Sequence, residues 1–174
     1  VQTVLTFLRD KYGAQPPDVI VAGGNGALEF LLDNRAAFFP STPVVHMGVD
    51  RSFVKTRQPM PADIVGVPVE YDFTGTIEQA LRWHPAATRL VLVTGASAPD
   101  REWEAQLRAD TGRFDTRVTT EFLARLPTGA VLARLRELDN QAIVFTPAYF
   151  KDGGGGEFAP PEAARTLAAA SASP

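Results

Sequence analysis

Gly95-Ala96-Ser97-Ala98-Pro99 comes near the G-x-S-x-G elbow that presents a nucleophilic serine between a strand and a helix. Pro99 stands where that elbow needs its last glycine. Both histidines, His46 and His84, precede Ser97, whereas a triad of this order needs an acid and then a histidine after it. Helix capping by Ser97, by Asp100 or by both is the plainer reading. A second loop, Gly23-Gly24-Asn25-Gly26, follows an apolar run and precedes a helical one. Backbone N–H groups at such a turn favour an anion. Glu29 replaces the third glycine of a dinucleotide fingerprint, and a P-loop would need Gly-Lys-Ser/Thr, so neither nucleotide motif is present. A tight strand-to-helix turn and a ligand-lining loop remain equally good readings.

His46 sits within a strand pattern and reads as a packed residue. His84 ends a helix beside Pro85, where it suits the helix dipole. No His, Asp and Glu cluster has the spacing of a metal site, and no cofactor is implied. Asp50, Asp72, Arg101 and Asp152 share one location, at or just beyond strand ends. The carboxyl edge of open α/β sheets is where small ligands bind.

The elements that would position these residues alternate along the chain. A helix is expected over about Gln2 to Tyr12, with Val1, Val4, Leu5 and Leu8 at helical spacing. Asp18 to Ala22 reads as a buried parallel strand, and Ala27 to about Ala37 as a helix. Pro43 to Val49 is the next strand, and Asp50 to Asp63 reads as irregular. Ile64 to Tyr71 is strand-like, with Pro68 suggesting that it leaves its sheet. Thr76 and Gln79 fit a capping box for a helix that stops at Pro85. Arg89 to Thr94 is the clearest strand. A helix with Trp103 and Leu107 follows, then strand Thr116 to Phe122, helix Gly129 to Leu138 and strand Gln141 to Thr146. The run Gly153 to Gly156 precedes a last helix near Pro160. The alternation restarts after Pro68, so two half-sheets are expected, joined by a crossover near Val67 to Thr74. The amphipathic runs at both chain ends suggest the middle of a larger α/β protein.

Composition narrows the classes. The 174 residues are 45% hydrophobic, enough for a core in one domain or two small lobes. Seventeen basic and twenty acidic residues give a net charge of −3 with no long block of either sign, which argues against a nucleic-acid surface. The absence of cysteine excludes disulfides and thiolate metal sites and fits an oxidising compartment. No stretch has the roughly 18–20 apolar residues of a membrane span.

Several segments together resemble one family. Pro17 to Gly24, Ala27 to Leu32, Phe39-Pro40 and Pro43 to Asp50 are similar to the substrate-binding proteins of ABC transporters. The closer likeness is to the branch used as the extracytoplasmic sensor of bacterial histidine kinases. The likeness continues through Gly75 to Leu81, His84-Pro85, Arg89 to Ser97, Asp100-Arg101, Tyr149 to Gly153 and Phe158 to Pro160. The resemblance implies an α/β fold of two periplasmic-binding-protein lobes, each a parallel sheet flanked by helices, with ligand between them. Lobe one would be residues 1–70 without its first βαβ unit, and lobe two residues 71–174 without its last strands. The glycine run departs from the shorter Asp-Gly turn of the family, so the loop after Phe150 is expected to be unusually mobile.

By position, the resemblance implies Gly24, Asn25, Gly26, Val49 and Asp50 as ligand contacts from lobe one. From lobe two come Ser97, Arg101, Tyr149, Phe150 and Asp152, with Tyr71 and Asp72 on the crossover as contacts or hinge. The implied activity is ligand sensing without catalysis in a two-component kinase held at the membrane, periplasmic or extracytoplasmic. An aromatic or carboxylated small molecule suits Tyr149, Phe150 and Arg101, and a homodimer would form through the parent kinase. A free importer subunit and an α/β hydrolase using Ser97 are the alternatives.

Overall fold

The computed structural model describes residues 2–174; Val1, the first member of the expected helical stripe, lies outside the described residues. The chain divides into two compact units, one ending at Tyr71 and the other spanning Asp72–Pro174. The fold is α/β, with one small parallel three-stranded sheet in each unit, flanked by helices.

In the first unit helix α1 (Gln2–Tyr12) is followed by β1 (Ile20–Gly23), α2 (Asn25–Asn34), a 3-10 turn (Arg35–Ala37), β2 (Val44–Asp50), α3 (Arg51–Thr56) and β3 (Ile64–Val69). The strands lie in the order β1-β2-β3 and all pair parallel. Strand alternation sends Ala22, Val44 and Ile64 to one face, where Leu28 and Leu31 of α2 and Phe53 and Val54 of α3 cover them. Val21, Val45, Met47, Val65 and Val67 occupy the opposite face and are 38–80% exposed. That second face is as apolar as the first.

Two expectations change here. Arg51–Thr56 is a short helix inside the stretch expected to be irregular. Pro68 does not eject its strand: the register shifts opposite it, between Met47 and Asp50, and pairing resumes from Met47↔Val67 at Asp50↔Val69. β3 is the edge strand of its sheet, where the N–H that proline lacks is not missed.

The second unit runs α4 (Phe73–Trp83), β4 (Arg89–Thr94), α5 (Ala98–Thr111), a 3-10 turn (Gly112–Phe114), β5 (Thr119–Ala124), α6 (Thr128–Arg136), β6 (Ala142–Phe145) and α7 (Pro160–Ala170). β4 is central, with β5 and β6 parallel on either side. Its continuous apolar run is buried on both faces. Leu90 and Leu92 pack with Ile77, Leu81 and Leu107, and Val91 and Val93 with Val131, Leu135, Ala163 and Leu167. A sheet sandwiched between helix layers requires this run in place of alternation.

The start of α4 is capped by Asp72, whose carboxylate accepts from Gly75 N at 2.7 Å, in place of the expected Thr76–Gln79 box. Capping there lets the helix begin at Phe73, a buried core residue. β5 starts later than Thr116 because the 3-10 turn and its exit occupy residues 112–118, with Phe114 and Val118 in the core.

Candidate functional site

Each unit presents its strand ends at one carboxyl edge, and the twelve sequence-predicted residues divide between those edges and the crossover. In the first unit Gly24 (φ 81°) is the N-cap of α2, and its N–H donates to Met47 O at 2.9 Å. Asn25 clasps Asp50 twice. Its Nδ2 donates to Asp50 Oδ2 at 2.7 Å, and Asp50 N donates to its Oδ1 at 2.9 Å. The loops after β1 and β2 are thereby joined, which fixes the Asp50 carboxylate at the start of α3. Gly26 is exposed in the first turn of α2. Val49 is fully buried in the core of its unit, so its side chain has no surface to offer a ligand. Tyr71 and Asp72 stand at the boundary of the two units, Tyr71 41% exposed and Asp72 engaged as a cap.

The second unit ties its edge more tightly. Ser97 and Asp100 form a reciprocal capping box: Asp100 N donates to Ser97 Oγ at 3.2 Å, and Ser97 N to Asp100 Oδ2 at 3.0 Å. The Ser97 hydroxyl therefore serves the helix start. Asp100 is fully buried and also accepts from Phe150 N and Lys151 N, each at 3.3 Å. Ala96 N closes the same junction on Lys151 O at 2.6 Å. Gly95 lies beneath it, and a Cβ there would meet the Asp100 carboxyl carbon at 2.8 Å, so no larger residue fits. Arg101 is exposed, and its Nη1 donates to Ala96 O at 2.5 Å. That contact steadies the guanidinium at the strand-end loop. Phe150 is half-buried and stacks on Trp103, with centroids 5.9 Å apart and planes 27° apart.

Asp152 organises the loop after β6. Its carboxylate accepts from Thr128 N (2.9 Å), Thr128 Oγ1 (2.7 Å), Gly154 N (2.9 Å) and Gly156 N (2.7 Å). The Thr128 backbone and hydroxyl, followed by the glycine N–H groups, hold its pKa down to about 2 against the opposing effect of burial. Gly155 takes φ 91°, a conformation other residues adopt at a cost, and its N–H bonds Asp152 O. Together with the Lys151↔Glu157 bridge, these bonds give the glycine run a defined path. Tyr149 is 2% exposed and packs on Phe158 in the core, with its hydroxyl 3.4 Å from Thr128 Oγ1. Burial raises its pKa. The tyrosine is thus a core residue, and the aromatic surface at this edge belongs to Phe150 and Trp103.

Sequence reasoning missed Trp103 as a neighbour of the edge, the full reach of Asp100, Thr128 as the partner of Asp152, and Glu104. The last is buried and ion-paired with Arg108 at 2.9 Å and Arg125 at 3.2 Å. Among the described residues no group of His, Cys, Asp and Glu is placed to hold a metal ion, and no helix is long and apolar enough to cross a membrane. Comparison with family models, with curated proteins and with solved structures finds no match.

Proposed function

We propose that the chain is part of a non-catalytic, two-lobed, periplasmic-binding-protein-like domain that senses a small molecule for a membrane-anchored histidine kinase. The observation that carries this reading is the presence of two parallel sheets in two compact units. Each has a carboxyl edge with a fixed polar group, Asp50 in one and Arg101 in the other. Open α/β sheets bind ligands at that edge. Closure of the lobes on ligand would signal to the extent that ligand prefers the closed state. The exposed apolar face of the first sheet supports a longer parent, because parallel sheets are ordinarily covered on both faces. Ser97 is engaged as a helix cap, which favours binding over hydrolysis at that loop.

Arg101→Ala tests the placement of the site. A hydrogen bond to a charged group contributes roughly 1.5–3 kcal/mol, so affinity for an anionic ligand should fall by about one to two powers of ten. Melting without ligand should barely move. Calorimetry on the full-length gene product and its variant decides it. Unchanged affinity would remove Arg101 from the site, and covalent labelling of Ser97 by a serine-directed probe would favour the hydrolase reading.

A further inference from the structure

Asn25-Gly26 is the one asparagine–glycine pair in the chain; Asn34 precedes Arg35, and Asn140 precedes Gln141. The carboxamide of an asparagine is open to attack by the backbone nitrogen of the next residue. A following glycine leaves that nitrogen unshielded, which makes such a pair especially labile. Gly26 is exposed, and nothing lies within 4 Å of the point where its Cβ would stand. The same holds at Gly23 and Gly24, just before the pair. These glycines leave the backbone free to turn once its restraints are released.

Ring closure requires Gly26 N to reach Asn25 Cγ, and two features oppose it. The helical backbone of α2 begins at Asn25. The carboxamide is turned onto Asp50, with Nδ2 donating to Asp50 Oδ2 at 2.7 Å and Oδ1 accepting from Asp50 N at 2.9 Å. Both bonds come from the loop after β2, 25 residues on, so the restraint is tertiary and fails whenever the two loops part. Asn34, by contrast, is held by its own helix, donating to Phe30 O at 2.9 Å.

We propose that Asn25 is a self-modification site kept intact by the Asp50 clasp. When the clasp opens, Gly26 N loses its proton to solvent and bonds to Asn25 Cγ. The Cγ–Nδ2 bond breaks and ammonia leaves. Water then opens the succinimide at either carbonyl, giving aspartate or isoaspartate at position 25. Neither product has a side-chain N–H to donate to Asp50, and each sets a second negative charge against its carboxylate. Isoaspartate also adds a methylene to the main chain where α2 begins. The change is irreversible and parts the loops after β1 and β2.

The test incubates the whole chain in mildly alkaline buffer. Peptide mass spectrometry follows position 25, reading the exchange of NH2 for OH and separating the two products. The chain unfolded in urea sets the unrestrained rate, and the folded parent should react far more slowly. Asp50→Ala should raise the folded rate about 10- to 100-fold, the rise in open population when a hydrogen bond to a charged group is lost. Asp50→Asn keeps an acceptor and should fall between the two, and it decides the matter if Asp50→Ala does not fold. Gly26→Ala added to either variant should slow the reaction again. Three results overturn the proposal: a folded parent as fast as the chain in urea, Asp50 variants no faster than the parent, or undiminished modification with Gly26→Ala.

Discussion

Replacing Asp100 by alanine is expected to be among the most damaging single changes at the second unit's carboxyl edge. The carboxylate accepts from Ser97 N at 3.0 Å and from Phe150 N and Lys151 N at 3.3 Å, and the residue is fully buried. Removing it strands three donors. Losing the partner of a buried donor costs about 1–3 kcal/mol, and two long bonds put this case toward the low end, so we expect roughly 3–4 kcal/mol in all. Ser97→Ala is the control. It removes only the hydroxyl that accepts from Asp100 N, a helix cap contributing about 1 kcal/mol. With a urea dependence of about 2 kcal/mol per molar, the midpoint should fall by roughly 1.5–2 M for Asp100→Ala and roughly 0.5 M for Ser97→Ala. Trp103 reports the transition, since it stacks on Phe150, and Trp83→Phe removes the other tryptophan, which is 72% exposed. Equal losses for the two variants would mean that Asp100 is only a helix cap and that the post-β6 loop is held by something else.

Asp152 should give the unit an acid-sensitive component. Its folded-state value of about 2 lies below the roughly 3.9 of a free aspartate, so its contribution is complete above about pH 4 and is lost as pH falls through 2. Thermal melts from pH 5 to 2 should show a shallower decline in Asp152→Asn than in the parent. Val67→Lys, at an 80% exposed position, should change the stability of this chain by less than about 0.5 kcal/mol in urea melts. In the full-length gene product the same change should cost more than about 2 kcal/mol, because a covered face would then bury the ammonium. Equal effects in the two would count against a covering layer.

Much of the fold is legible because core packing and local propensity agree. The expected limits of β4 and α1 match Arg89–Thr94 and Gln2–Tyr12, since an uninterrupted apolar run and a helical stripe each permit one reading. The Ser97–Asp100 cap is legible because capping is a local rule. Asp152 is not, because its principal partner, Thr128, is 24 residues away and nothing in Lys151-Asp152-Gly153 points to it. The same holds for Asp100 and the amides of Phe150 and Lys151, about fifty residues on. The resemblance implies Val49 and Tyr149 as ligand contacts by position alone, which carries no information on side-chain direction, and both side chains lie in the core. Helix α3 escaped notice because six residues are too few to establish a period.

The most direct test of a non-catalytic ligand-binding domain is native mass spectrometry of the full-length gene product after exposure to a small-molecule extract. The account predicts one noncovalent adduct per chain, released with its mass unchanged on unfolding, and lost or strongly reduced in Arg101→Ala. A covalent increment on Ser97, a chemically altered released molecule, or no adduct at any extract concentration would contradict it.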